Sequence, residues 1–226
     1  MLKGPSHIPE DSQPDSLILF LHGWGSNGSD MFGIAQIFAK ELPNTIMLSP
    51  DAQEKHPQVN EGYQWFSLDV DPEEKNDQNA KQIAGMNGVN KALPFIEEYL
   101  LHNVKKYNIP FNKVAVIGFS QGCMMAIHLG LRLRETIGAV VGFSGKLINS
   151  KGIDDFLVSK PPVLLIHGDD DEVVSPHFSR TASEILTKKD VSNLYVPLQG
   201  LAHSIDVRGL DTALSFVRKN IFSITS

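Results

Sequence analysis

A chain of 226 residues with 42% apolar and 20% charged residues is long enough to bury a sizeable core and too apolar to be disordered. Its formal charge of −6, with no long basic run, argues against nucleic acid or an anionic membrane surface as the main partner. A single cysteine, Cys123, excludes an internal disulfide and suits a reducing compartment.

The first residues, Met1 to His7, carry no apolar signal core, and no segment has the length of a membrane span, so a soluble, cytoplasmic protein is expected. Residues 1–16, with Pro5, Pro9 and Pro14 among polar neighbours, predict an N-terminal arm or loop. Leu17 to Leu21 and Thr45 to Ser49 are strand-length apolar runs, and residues 30–40 between them read as a helix capped near Ser29-Asp30. Residues 50–76 are rich in Pro, Asp, Gln and Glu around Tyr63-Gln64-Trp65-Phe66, and read as a long excursion over a site. Residues 77–107 place Ile83, Met86, Val89, Leu93, Ile96 and Leu100 at helical spacing, but Gly85, Gly88 and Pro94 argue against one straight helix.

Four further strand runs follow: Val114 to Ile117, Ala139 to Phe143, Val163 to Ile166 and Leu194 to Val196. Between and after them, helices are expected over 121–134, apolar almost all round, over 176–188 with Phe178, Ala182, Ile185 and Leu186 on one face, and over 207–221 with Val207, Leu210, Leu214, Val217 and Ile221 on one face. Strands apolar on both faces, alternating with helices, predict one α/β domain over residues 1–226, with a mostly parallel sheet covered on both sides. Ligands in such sheets sit beyond the carboxyl ends of the strands.

The polar residues that stand out lie at those ends. Gly118-Phe119-Ser120-Gln121-Gly122 follows the third run and opens a helix, the spacing of a nucleophile elbow. Small residues two before and two after the serine let strand and helix nearly touch, and the turn lifts the hydroxyl clear. Alone, the pentapeptide is equally an ordinary glycine-containing turn. A serine hydroxyl also needs a general base, and the base an orienting acid. His7, His56 and His102 sit in polar segments and read as solvated, His128 as packed on the central helix, and His177 as the start of an exposed helix. His203, in the loop after the last strand and before the last helix, can hang over the serine. The acid is sought in His167-Gly168-Asp169-Asp170-Asp171-Glu172, after the fifth run. Four acids in a row also suit a solvated turn, and they lack the ligand spacing of a calcium loop. The order serine, acid, histidine is that of α/β-hydrolases.

The segment His167-Gly168-x-x-Asp171-x-Val173-Val174 resembles the His-Gly-x-x-Asp-x-Val-Val segment of the carboxylesterase/phospholipase family that includes acyl-protein thioesterases. Leu21-His22-Gly23-Trp24-Gly25, Pro50-Asp51-Ala52, Trp65-Phe66, the full Gly-Phe-Ser-Gln-Gly of 118–122 and Gly200-x-x-His203-Ser204 are similar to other segments of that family. The resemblance runs from about residue 17 to 220. It implies an α/β-hydrolase fold and a serine esterase or thioesterase, lysophospholipase activity included, working through an acyl-enzyme. Its implied catalytic residues are Ser120, Asp171 and His203, and its implied oxyanion donors are the backbone N–H groups of Trp24 and Gln121. It implies no cofactor or metal, and a small-molecule ester or thioester, a lysophospholipid or an acylated protein as substrate. Trp65, Phe66 and Val174 are candidates for the acyl pocket. Two departures stand out: Cys123, read as a buried small side chain rather than a reactive thiol, and Lys146, where many relatives carry an apolar residue. The strongly polar residues 67–82 offer no palmitate-length apolar flap. Two rival readings keep the fold: a non-catalytic binding protein or receptor, and a dienelactone-type hydrolase, which the serine at the elbow disfavours. Neither a monomer nor a homodimer is excluded.

Overall fold

The computed structural model describes residues 1–10, 12–68 and 77–222. Its main sheet is built from β1 (Ser6–His7), β2 (Ser16–Leu21), β3 (Thr45–Leu48), β6 (Val114–Phe119), β7 (Ala139–Phe143), β8 (Val163–Gly168) and β9 (Asn193–Leu198), in the order β1-β3-β2-β6-β7-β8-β9. All neighbours run parallel except β1, which lies antiparallel on β3. A separate two-stranded ribbon pairs β4 (Glu54–Lys55) with β5 (Tyr63–Gln64) inside the 50–68 excursion.

The apolar runs show why the sheet is covered on both faces. In β2, Leu17, Leu19 and Leu21 point into one core and Ile18 and Phe20 into the other, all fully buried. The first core lies under α2 (Gln78–Tyr107), α3 (Gln121–Arg132) and α4 (His177–Lys188), and the second under α1 (Gly28–Glu41) and α5 (Val207–Val217). All six strand runs expected from the sequence are strands of this sheet.

Three expectations need correction. The N-terminal arm is not a plain loop: Ser6 and His7 pair with Leu48 and Met47, Pro5 O accepts from Ser49 N–H and Lys3 O from Asp51 N–H, and Leu2 is buried. Its partner lies some forty residues on, and two residues carry no alternation to read. Residues 78–107 form one helix in spite of Pro94. Asp77 caps its start by accepting from Asn79 and Ala80 N–H, and Asn108 closes its end in the left-handed region, with its N–H bonded to Lys105 O and Val104 O. Burial of Val89, Ala92, Leu93, Ile96 and Leu100 offsets the lost proline hydrogen bond. Gly88 is there for contact: a Cβ would lie 2.6 Å from the Phe66 ring. Third, Ile83, Phe178 and Val207, grouped in sequence with the apolar residues of their helices, are exposed. Part of the polar stretch 67–82, residues 69–76, lies outside the described residues.

His128 packs inside α3 as expected, fully buried. Its Nε2 donates to Ile148 O at 3.1 Å, while Nδ1 has no partner. Burial, helped by the charge of Arg132, pushes its pKa down to about 3 against the pull of the Ile148 carbonyl. Between that value and 6.5 the unfolded chain takes up a proton at this residue and the folded chain does not. Stability therefore falls as the pH drops below 6.5, by at most ~1.4 kcal/mol per pH unit from this group. His22 and His167, also lowered chiefly by burial, act in the same direction. Urea unfolding at pH 7.5 and pH 5 should show His128→Leu losing ~2 kcal/mol less than the native chain over that interval. Equal losses in both would refute a neutral His128.

Candidate active site

Strand β6 ends at Phe119, and Ser120 sits in the turn before α3 with φ 54° and ψ −113°, a region costly for a non-glycine residue. The turn is held by Ser120 N–H donating to Phe143 O at 2.8 Å. A Cβ on Gly118 would lie 2.2 Å from Gly122 O, and one on Gly122 would lie 2.0 Å from Leu21 O, so only glycine fits at either position. Cys123 fills the space left by two further glycines: a Cβ on Gly142 or Gly145 would stand about 2.5 Å or less from its Sγ. Burial raises the Cys123 thiol to about 12, which leaves it inert.

The loops after β8 and β9 are threaded together. Asp170 N–H donates to Leu201 O, and Gly200 N–H to Asp169 Oδ1 at 2.6 Å, so Asp169 shapes the loop that carries the histidine. There His203 Nδ1 lies 2.7 Å from Asp171 Oδ2, and its Nε2 lies 3.1 Å from Ser120 Oγ. With Nδ1–H donated to the carboxylate, Nε2 is left to accept the serine proton. The three residues singled out in the sequence thus meet in one line. Asp171 Oδ1 accepts from Val173 and Val174 N–H, each at 2.9 Å. Burial pushes the Asp171 pKa up, but the hydrogen bonds from His203 and from those two N–H groups outweigh it and hold the group below the ordinary carboxylate range. His167, buried, reaches Asp171 Oδ2 with Nε2 at 3.1 Å and shares that proton with Val174 O at 2.8 Å. Its Nδ1 lies 2.7 Å from Ser179 Oγ, so this second histidine ties the acid to α4.

Above the serine, the loop after β2 brings up Gly23 and Trp24. The backbone N–H groups of Trp24 and Gln121 have no acceptor among the described residues. The loop is braced from beneath. His22 Nε2 accepts from Ala52 N–H at 3.0 Å and its Nδ1–H is donated to Gly23 O, which makes it a neutral imidazole. Trp65 Nε1–H donates to His22 O at 2.9 Å. The Gln121 side chain, fully buried, accepts from Trp65 N–H at 2.9 Å and donates to Phe66 O at 2.8 Å. Trp65 is therefore a buried brace, not a wall of the pocket. Its placement corrects the pocket assignment, and the physical cause is its indole N–H, which needs a partner when buried. His56 is likewise buried, not solvated. Its ring lies edge-on to Trp24 at 4.1 Å, and its Nδ1 accepts from Gln58 and Val59 N–H. His102 and His177 are exposed as expected, and His7 is half-buried in β1.

A cleft of about 690 Å³ opens over Ser120, lined among others by Trp24, Met124, Lys146, Val174, Phe178 and His203. Val174 is on its wall, and Phe66 lines a smaller adjoining cavity. The sequence reading missed the roles of His22, His167 and the Gln121 side chain. Their signal was present, since each sits beside a glycine in one of the segments that carried the family resemblance.

The sheet and its neighbours in known structures define a serine hydrolase of the α/β-hydrolase fold. Residues 4–221 match the family model described as Phospholipase/Carboxylesterase, and the chain belongs to that family. A crystal structure of esterase PE8 superposes with a TM-score of 0.89 at 34% identity, covering 97% of this chain and 99% of the other. Acyl-protein thioesterase 1 homolog 1 of Dictyostelium discoideum is 23% identical, covering 98% of this chain and 97% of its own. Esterase YpfH of Escherichia coli is 27% identical, covering 93% and 85% respectively. The chain is accordingly a hydrolase of carboxylic esters or thioesters, and nothing in the comparisons favours a non-catalytic binding protein.

Proposed function

We propose that Ser120 is the nucleophile, His203 the general base and acid, and Asp171 the group that orients and stabilises the imidazolium. The observation that carries this is the hydrogen-bonded line Asp171–His203–Ser120 beside two backbone N–H groups without an acceptor among the described residues. His203 takes the Ser120 proton as the oxygen attacks the acyl carbonyl. The N–H groups of Trp24 and Gln121 receive the oxyanion. Such donors contribute ~10²–10³ in rate each, because they are aimed before charge develops. His203 then protonates the departing alcohol or thiol, and water activated the same way releases the acid from Ser120. These groups complete the reaction without a cofactor. Lining of the cleft by Val174, and of the adjoining cavity by Phe66, supports their part in holding the acyl chain.

We place the protein in the cytoplasm, as a single domain acting on small esters or thioesters. No helix among the described residues is long and apolar enough to cross a membrane, and the single cysteine is a buried free thiol. A fluorophosphonate should label the native chain stoichiometrically on the peptide containing Ser120. Values of kcat/KM over paired oxygen esters and thioesters of two to sixteen carbons should then peak at short acyl chains. Absence of label, or label on another residue, would overturn the nucleophile. A steady rise to long chains would transfer the substrate class to lipids or acylated proteins.

A further inference from the structure

Beside the cleft over Ser120 lies a second cavity of about 340 Å³. The two adjoin each other, with Leu68, Met124, Lys146 and Phe178 lining both. Three lysines line the second cavity, Lys81, Lys146 and Lys151, and no Asp or Glu lines it among the described residues. Lys146 is the one that faces both spaces. It is half-buried, its Nζ stands 5.4 Å from the centre of the Phe178 ring, and no carboxylate lies within 4 Å of it among the described residues. Its backbone leaves the turn beside the nucleophile, because a Cβ on neighbouring Gly145 would lie 3.0 Å from Ser120 O. Elsewhere on the chain, lysines meet carboxylates, as Lys91 does Glu54 and Lys160 does Asp190. On a protein of net charge −6, a cavity whose charged lining among the described residues is three lysines stands out. Burial, together with the charge of Lys81, lowers the Lys146 pKa, a cost that a bound anion would reverse.

Which part of a substrate enters follows from the chemistry. His203 must reach the leaving-group oxygen, so that group lies against His203, Ser204 and Ile205. These three line the first cleft and not the second. The second cavity is therefore on the acyl side. We propose that it is a subsite for an acyl chain ending in a carboxylate, so that the preferred substrates are monoesters or monothioesters of short dicarboxylic acids. This rests on the reading of Ser120 as nucleophile. Hydrolysis consumes one water, breaks the acyl–oxygen or acyl–sulfur bond, and releases the dicarboxylate and the alcohol or thiol.

The test compares monomethyl esters of succinate, glutarate and adipate with methyl esters of the uncharged acids of equal chain length, and with a lysophospholipid. At ~50 mM salt the best monoester should exceed its neutral partner about tenfold in kcat/KM, and the ratio should shrink severalfold at ~0.5 M salt. Lys146→Met should bring the ratio close to one, while Lys146→Arg should keep most of it, since the charge is retained. A native ratio at or below one, or a ratio unchanged in Lys146→Met, would overturn the subsite. Preference for the lysophospholipid, whose anion lies on the leaving group, would overturn its placement on the acyl side. If Ser120→Ala hydrolysed the neutral esters as the native enzyme does, the underlying reading would fail instead.

Discussion

Ser120→Ala should lower kcat for a short activated ester by at least ~10⁴-fold while leaving the unfolding midpoint unchanged or slightly raised. The loss follows from the geometry: the hydroxyl is the group 3.1 Å from His203 Nε2, and alanine leaves that imidazole nothing to activate but water. The stability side has its own logic. Alanine keeps the positive φ of 54° and the N–H bond to Phe143 O, but removes the hydroxyl's own hydrogen bond. Substrate binding should persist, since the cleft walls and the two backbone donors are untouched, so KM should change far less than kcat. His203→Ala should show the same pattern. The decisive readings are single-turnover kinetics and fluorophosphonate labelling of the variants. Native-like turnover by Ser120→Ala would exclude Ser120 as nucleophile.

Gly122→Ala should be among the most damaging single methyls in the molecule. Its Cβ would lie 2.0 Å from Leu21 O, 2.5 Å from Leu21 C and 2.6 Å from His22 O. All three are backbone atoms, so no side-chain rotation relieves the clash. Either α3 lifts from β2 or the loop carrying Trp24 is displaced. We expect a loss of at least ~3 kcal/mol, read as a fall in Tm of roughly 6–12 °C for a chain of this size. Activity should fall further than stability at temperatures where the variant is folded, because the loop that carries Trp24, the proposed oxyanion donor, hangs from Leu21 and His22. Gly33→Ala in α1 is the control. It has open space around its Cβ, and a helical glycine replaced by alanine should gain ~0.5–1 kcal/mol. Equal Tm values for the two variants would contradict the close approach of strand and helix.

What was legible in the sequence was whatever chemistry restricts to few residue types. A nucleophile elbow needs glycines at fixed offsets, and so Ser120 could be located before any coordinates. Asp171 was picked out of four neighbouring acids only through the family resemblance. Its distinguishing feature, two backbone N–H groups and two histidines converging on it, exists only in three dimensions. Long-range pairing was the least legible. Ser6 and His7 become a strand because residues 47 and 48 present a free sheet edge. Pro94 is carried inside a helix because the flanking residues bury a continuous apolar face. His56 and Trp65 misled for opposite reasons. A histidine among polar residues was folded under the β4–β5 ribbon, and an aromatic in a polar excursion turned inward to brace a carbonyl.

Gln121 is tied at both ends of its amide to the backbone of Trp65 and Phe66, and its own N–H is the one proposed above to receive the oxyanion. One residue thus joins the turn that carries Ser120 to the segment whose Phe66 lines the second cavity. Efforts to reshape substrate preference should therefore find position 121 closed, because any replacement would disturb rate and fit together. Adaptation should instead accumulate at Leu68, Val173 and Phe178, exposed residues that line the cleft.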